Sequence, residues 1–175
     1  MNSQNLLAEL VAVLEKLRDC HQAWAQLADR HRLDLITHRM DAVSEGAREL
    51  DDLIEAMGPL EDRRMSISFA LGHELGMPRA ERPPMISELC ANLGEVASRP
   101  LVDVAKRLRQ AVGTAVTMAE RNRMLAESGQ RVAEATVKAL AQMVVRASST
   151  QAAYDRAGAR STGVVAPVFQ HSWKG

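Results

Sequence analysis

Five histidines, two cysteines and 22 acidic side chains are the groups in this chain that could do chemistry. A zinc-binding helix needs two histidines four apart with a glutamate beside the first. His73-Glu74 begins such a run, but position 77 is methionine. A phosphorelay histidine in a helical bundle normally has a lysine three residues on and a glycine four on. His73 is followed at those places by Gly76 and Met77, and His38 by Asp41 and Ala42. Gly158 to Gly163 has the spacing of a phosphate-binding loop but lacks its lysine. Cys20 and Cys90 form no CxxC pair and no metal-ligand spacing, so both read as buried structural thiols. His21 and His31 fall on an apolar helix seam and read as polar seam residues. The carboxylates are scattered at helix-surface spacing, where solvated faces and i,i+4 pairs are the default. No catalytic, cofactor or metal site is expected, and the chain reads as a protein without an enzymatic activity.

Composition points the same way. Twenty-two basic residues balance the acidic ones, which argues against a charge-driven nucleic-acid or membrane-surface role. Aromatics are few: Trp24, Phe69, Tyr154, Phe169 and Trp173. Nine methionines partly replace them, and methionine suits surfaces that accept more than one partner. Met1 to Asn5 has no basic leader, and no apolar run reaches membrane length. A soluble cytoplasmic protein is expected.

The elements that must position any site are helices. In Pro100–Ser149, Leu101, Leu108, Ala115, Asn122, Gly129, Thr136 and Met143 recur every seven residues. Val104, Val112, Met118, Leu125, Val132 and Leu140 interleave at three- and four-residue steps, the stripe of a coiled-coil or bundle helix. Ser98 is placed to cap it, with Pro100 in the first turn. Asn122 belongs on or near the seam. Leu7, Leu10, Leu14, Leu17, Trp24, Ala28 and Leu35 predict a first helix. A second opens at Asp41 as N-cap and is bent, not ended, at Gly58-Pro59. The short connection makes these two antiparallel neighbours. Gly76 to Pro84 is a loop. Ile86, Leu89, Cys90, Leu93 and Val96 line one side of a short helix. The expectation is an all-α, elongated antiparallel bundle or coiled coil. Its helical domain covers 1–153, with helices near 3–38, 41–75, 85–97 and 100–149. A flexible tail, 154–175, follows.

Lengths then locate a candidate surface. Helices of this size span roughly 52 Å, against roughly 75 Å for the long one. About 15 residues of the long helix are therefore left without cover. Its C-terminal part fits, because Arg131, Glu134, Lys138, Gln142 and Arg146 form one narrow polar stripe. Most of the remaining circumference is apolar, and such a helix needs cover on more than one side. The cover is either a second copy of the chain or an amphipathic helix of a partner. The tail is unusual in carrying Val164, Val165, Val168, Phe169 and Trp173. Two roles remain open for it: folding back to shield the apolar Val132–Val145 surface, or docking a partner as a linear motif.

The order of these features resembles the FlgN family of flagellar export chaperones. The similar features are the Leu6–Leu35 helix, Asp41-Ala42-Val43 and Leu60-Glu61-Asp62-Arg63-Arg64. Further along come Asn122-Arg123-Met124-Leu125, then Ser128, Val132 and Leu140, then Tyr154-Asp155-x-x-Gly158. The resemblance covers roughly residues 5–160. Gly58-Pro59 and the apolar tail depart from it. It implies a cytoplasmic type III export chaperone of flagellum assembly. Such a chaperone binds the C-terminal helical segments of hook-associated proteins at the hook–filament junction, keeps them unassembled and delivers them to the export gate. Carried over by position, client binding falls on Leu125, Val132, Ala133, Thr136, Val137, Leu140, Met143 and Val144, and export-gate docking on Tyr154. The alternative is a non-catalytic coiled-coil scaffold or regulatory protein, a homodimer joined through the long helix.

Overall fold

The structure, a computed structural model, describes residues 2–78 and 81–158, with side chains described as far as Arg146. Among the described residues the chain is all-α: α1 (Ser3–Ile36), α2 (Met40–Glu74), α3 (Ile86–Leu93) and α4 (Glu95–Gly158). Asn2 caps α1, its side-chain oxygen accepting the Gln4 N–H at 3.3 Å. At the other end of α1, His38 adopts a left-handed conformation with φ 55°. The His38 N–H then reaches the Leu35 carbonyl and the Arg39 N–H the Asp34 carbonyl, closing the helix with a Schellman turn. Arg39 also donates from Nε to the buried Asp34 carboxylate at 3.1 Å. This turn corrects the cap expected at Asp41. The bonds made by His38 and Arg39 bring the chain round early, so α2 starts at Met40 with Asp41 inside its first turn.

Pro59 and Pro100 sit inside helices, and water explains why. Pro59 cannot serve the Glu55 carbonyl, but Glu55, Gly58 and Pro59 are all exposed, and α2 continues to Glu74. Pro100 lies in the second turn of α4, not the first. It leaves the Val96 carbonyl without its helical donor, and Val96 is 83% exposed. The expected boundary near 97–100 was therefore misplaced. The break is at Gly94, whose φ 77° and ψ 162° are essentially restricted to glycine. Ser98 is not a cap. It is buried inside α4, and its hydroxyl donates to the Glu95 carbonyl at 3.2 Å. Val96, expected on the apolar side of α3, faces solvent on α4. The far end also differs: helix persists through Tyr154 to Gly158 instead of stopping near Ser149. Gln151-Ala152-Ala153 are strong helix formers and carry the helix past the expected end. Residues 159–175, including the apolar segment Val164–Trp173, lie outside the described residues.

The chain divides into two units, Met1–Ser128 and Gly129–Gly175. In the first, α1 and α2 are antiparallel: Glu9 pairs with Arg63, Arg30 with Glu49, and His31 lies against Gly46. Helix α4 runs parallel to α1, since Arg107 reaches Glu15 at 3.2 Å and Asn122 reaches Ala28. The core joins Leu6, Leu10, Val13, Leu14 and Leu17 of α1 with Met57, Ile67 and Leu71 of α2. Leu89 of α3 and Leu101 and Val104 of α4 complete it. Each buried leucine contributes about 2 kcal/mol of apolar burial. Toward the α1–α2 turn the buried residues are small, namely Ala28, Gly46, Ala111 and Ala115, so the helices meet there by close approach. Gly72 does the same for the loop before α3, because a Cβ there would come within 2.7 Å of Pro84 Cγ. Cys20 and Cys90 are half-buried against the core, and burial pushes the Cys90 thiol up from its ordinary range.

Polar seam residues set two expectations. The Asn122 amide donates to the Ala28 carbonyl at 2.6 Å, while its own Oδ1 is buried without a partner. Replacing it with leucine removes one bond worth about 1 kcal/mol and relieves an unsatisfied oxygen costing about as much or more. Asn122→Leu should therefore leave urea-unfolding stability unchanged or raised; a loss of several kcal/mol would show that the oxygen is served. His21 stacks on Trp24 with ring centroids 5.8 Å apart, and burial lowers its pKa against an opposing pull from Glu61. The folded state thus prefers the neutral ring. Its contribution is complete above the ordinary imidazole value of about 6.5 and declines as pH falls through that value toward the lower folded one. His21→Gln should flatten that part of the stability–pH profile.

Candidate functional site

Some motif residues of the first unit join helices and others brace a single helix. Arg63 binds Glu9 on α1, Arg64 Nε binds Glu61 at 2.6 Å, and Glu61 lies near enough to His21 to raise its pKa. Leu60 packs on the core. On α4, Asn122 is bonded to α1, and the next residue, Arg123, bridges Glu120 and Glu127 on α4's own surface. These residues set register and surface charge, and none of them offers an open concavity.

That register limits how far α1 covers α4. With Glu15 level with Arg107 and Ala28 with Asn122, α1 reaches its end at about the last residue of the first unit, Ser128. Leu125 is the last half-buried residue of α4 among those described, and every residue from Ala126 to Arg146 is exposed.

The second unit carries the apolar surface. Val132, Val137, Leu140 and Met143 are 64, 66, 53 and 57% exposed. At about 100° per residue, Val132, Met143, Thr136, Leu140, Ala133, Val144 and Val137 fill one arc of about 140°. Thr136 adds its methyl group to this arc, because its hydroxyl turns back to the Val132 carbonyl at 2.9 Å. The opposite side holds Arg131, Glu134, Lys138 and Gln142, with Gln130 donating to Glu134 at 2.9 Å. Such a face can receive an amphipathic helix through anchors at three- and four-residue spacing.

Of the residues expected at the site, Val132, Ala133, Thr136, Val137, Leu140, Met143 and Val144 share this arc. Leu125 stands apart as the end of the first unit's seam. Tyr154 is in the last turns of α4, and its side chain is not among those described. Ala139 was missed, although it lies one heptad beyond Val132 at the edge of the arc. Also missed were Leu33, Ile36 and Met40, exposed around the α1–α2 turn, where their off-stripe positions were the available signal. A cleft of about 800 Å³ between α2 and the loop before α3 is lined by Phe69, Gly72, Met77 and Pro84. Its cation, Arg82, is held by Glu88, whose carboxyl stays below the usual range through that bond and one from the Met85 N–H.

Among the described residues no group of three or more His, Cys, Asp or Glu side chains could hold a metal ion, and no helix is long and apolar enough to cross a membrane. Fold and surface together define an all-helical protein whose candidate site is a binding face. The sequence matches the family model described as FlgN protein over residues 1–162. The chain therefore belongs to the FlgN family, a family of flagellar export chaperones. No curated protein and no solved structure matches it.

Because the arc is bare, charge placed on it should be tolerated. Val137→Asp, Leu140→Asp and Met143→Asp should each change stability by no more than about 0.5 kcal/mol. Leu101→Asp, at a fully buried position, should cost at least about 3 kcal/mol. Circular dichroism melts check both, and a collapse of the fold in the first set would place the arc in a core.

Proposed function

We propose that this chain is a cytoplasmic type III export chaperone that binds hook-associated proteins of the hook–filament junction. It takes their C-terminal helical segments on the Val132–Val144 arc of α4, keeps them unassembled and brings them to the export gate. The observation that carries this reading is the arc itself. An apolar helix face that the chain's own described helices leave exposed needs an occupant, and family membership supplies the class of occupant. Tyr154, near the end of α4, is the proposed contact with the gate. No chemistry is required of either site. Holding a client needs only burial of apolar side chains, with a binding change of tenfold for each 1.4 kcal/mol.

The test is titration of synthetic C-terminal segments of the hook-associated proteins encoded by the same genome. Val137→Asp, Leu140→Asp and Met143→Asp should each weaken binding by tenfold or more at unchanged helix content. Tyr154→Ala should bind the segment as the parent does and fail to support its export. Parent-like binding by all three aspartate variants would remove the arc from the reading. If those variants instead convert a dimer to monomer, the face joins two copies of the chain, as in a homodimeric scaffold.

A further inference from the structure

The bare arc and the chain that follows it are matched in length and in pattern. Helix α4 is described as far as Gly158. Measured back along the helix, Val145 lies about 20 Å from Gly158 and Val132 about 39 Å. Measured forward along extended chain, Val164 can lie about 20 Å from Gly158 and Trp173 about 50 Å. A chain doubling back from Gly158 therefore brings Val164 level with Val145, and has length to carry Trp173 to Val132. The residue types correspond as well. The last turns of α4 read Ala147-Ser148-Ser149-Thr150-Gln151-Ala152-Ala153, and the first residues beyond it read Ala159-Arg160-Ser161-Thr162-Gly163. In such a return, small and polar residues would lie opposite small and polar ones. Apolar residues begin on both at the same distance. Val165, Phe169 and Trp173 then recur at four-residue steps with Val168 beside them, a spacing that presents one apolar edge.

We propose that Val164–Trp173 of the same chain occupies the Val132–Met143 arc and is displaced when a client binds. The contact would bury side chains that are more than half exposed, including Val132, Leu140 and Met143. It places aromatic rings on a surface of valine, leucine and methionine, where sulfur–aromatic contact with Met143 adds to burial. That the displacing molecule is a client rests on the chaperone reading above; the intramolecular contact does not.

The chain contains two tryptophans, so Trp24→Phe leaves Trp173 as the sole indole reporter. In that background Trp173 should emit to the blue and be quenched by acrylamide several-fold less than when Leu140→Asp and Met143→Asp are added. Should Trp24→Phe alter the circular dichroism spectrum, the parent signal minus that of Trp173→Phe gives the same comparison. Phe169→Asp should raise the fluorescence of anilinonaphthalene sulfonate by uncovering the arc, and should tighten binding of the client segment several-fold. Equal quenching of Trp173 with and without the arc substitutions overturns the contact. Protection that fades on dilution overturns its intramolecular form and makes a second copy the occupant. Protected Trp173 with client affinity unchanged by Phe169→Asp overturns the displacement.

Discussion

A helix remains buried only as far as another helix lies beside it. Helix α1 is 34 residues long and α4 is 64. Their parallel register, held at Glu15–Arg107 and Ala28–Asn122, brings α1 to its end at about Ser128, where the first unit ends. Much else follows from that mismatch. The large core residues gather where α3 joins the other three helices, around Leu14, Leu71, Leu89 and Leu101. Toward the α1–α2 turn the contacts thin to Ala28, Gly46, Ala111 and Ala115. Beyond the register limit the apolar positions of α4 continue in the sequence without a buried counterpart among the described residues.

The register is maintained by polar groups more than by shape. Small residues at a helix interface allow sliding, because alanine against alanine has no unique fit. Asn122 bonded to Ala28 gives the α1–α4 pair one preferred alignment, at the cost of a buried oxygen without a partner. The α1–α2 pair is aligned by Glu9–Arg63 and Arg30–Glu49, both at least partly exposed and individually of small energetic weight, and by the Schellman turn at His38. The residues that most strongly carry the FlgN resemblance in the first unit are thus assembly residues. Their chemistry fixes where the α1–α4 seam ends.

For an export chaperone this division has a physical logic. Client exchange requires a surface whose exposure does not cost the fold. A face in the core could be offered only by unfolding, at several kcal/mol, whereas a face beyond the core can be covered and uncovered with the first unit intact. Met143 and the β-branched residues around it give an adaptable apolar surface without a fixed polar pattern, suited to more than one helical segment.

Much of this was legible in the residues alone. Heptad spacing from Leu101 to Met143 specified a single long helix, and the length comparison specified that part of it would lack cover. Leu7, Leu10, Leu14 and Leu17 specified the first helix. The short link at residues 37–39 made α2 its antiparallel neighbour. These features are set by local periodicity and chain length, which need no knowledge of neighbours. The helix boundaries were not legible. Gly94 in place of Pro100 as the break depended on water meeting the Val96 carbonyl, and helix continues past Ser149 to Gly158, the last described residue. Nor could spacing separate Leu125 from Val132, since both occupy the same stripe. Only the alignment of α1 against α4, decided by one amide and one carbonyl far apart in the chain, put Leu125 in a seam, whereas Val132 is exposed.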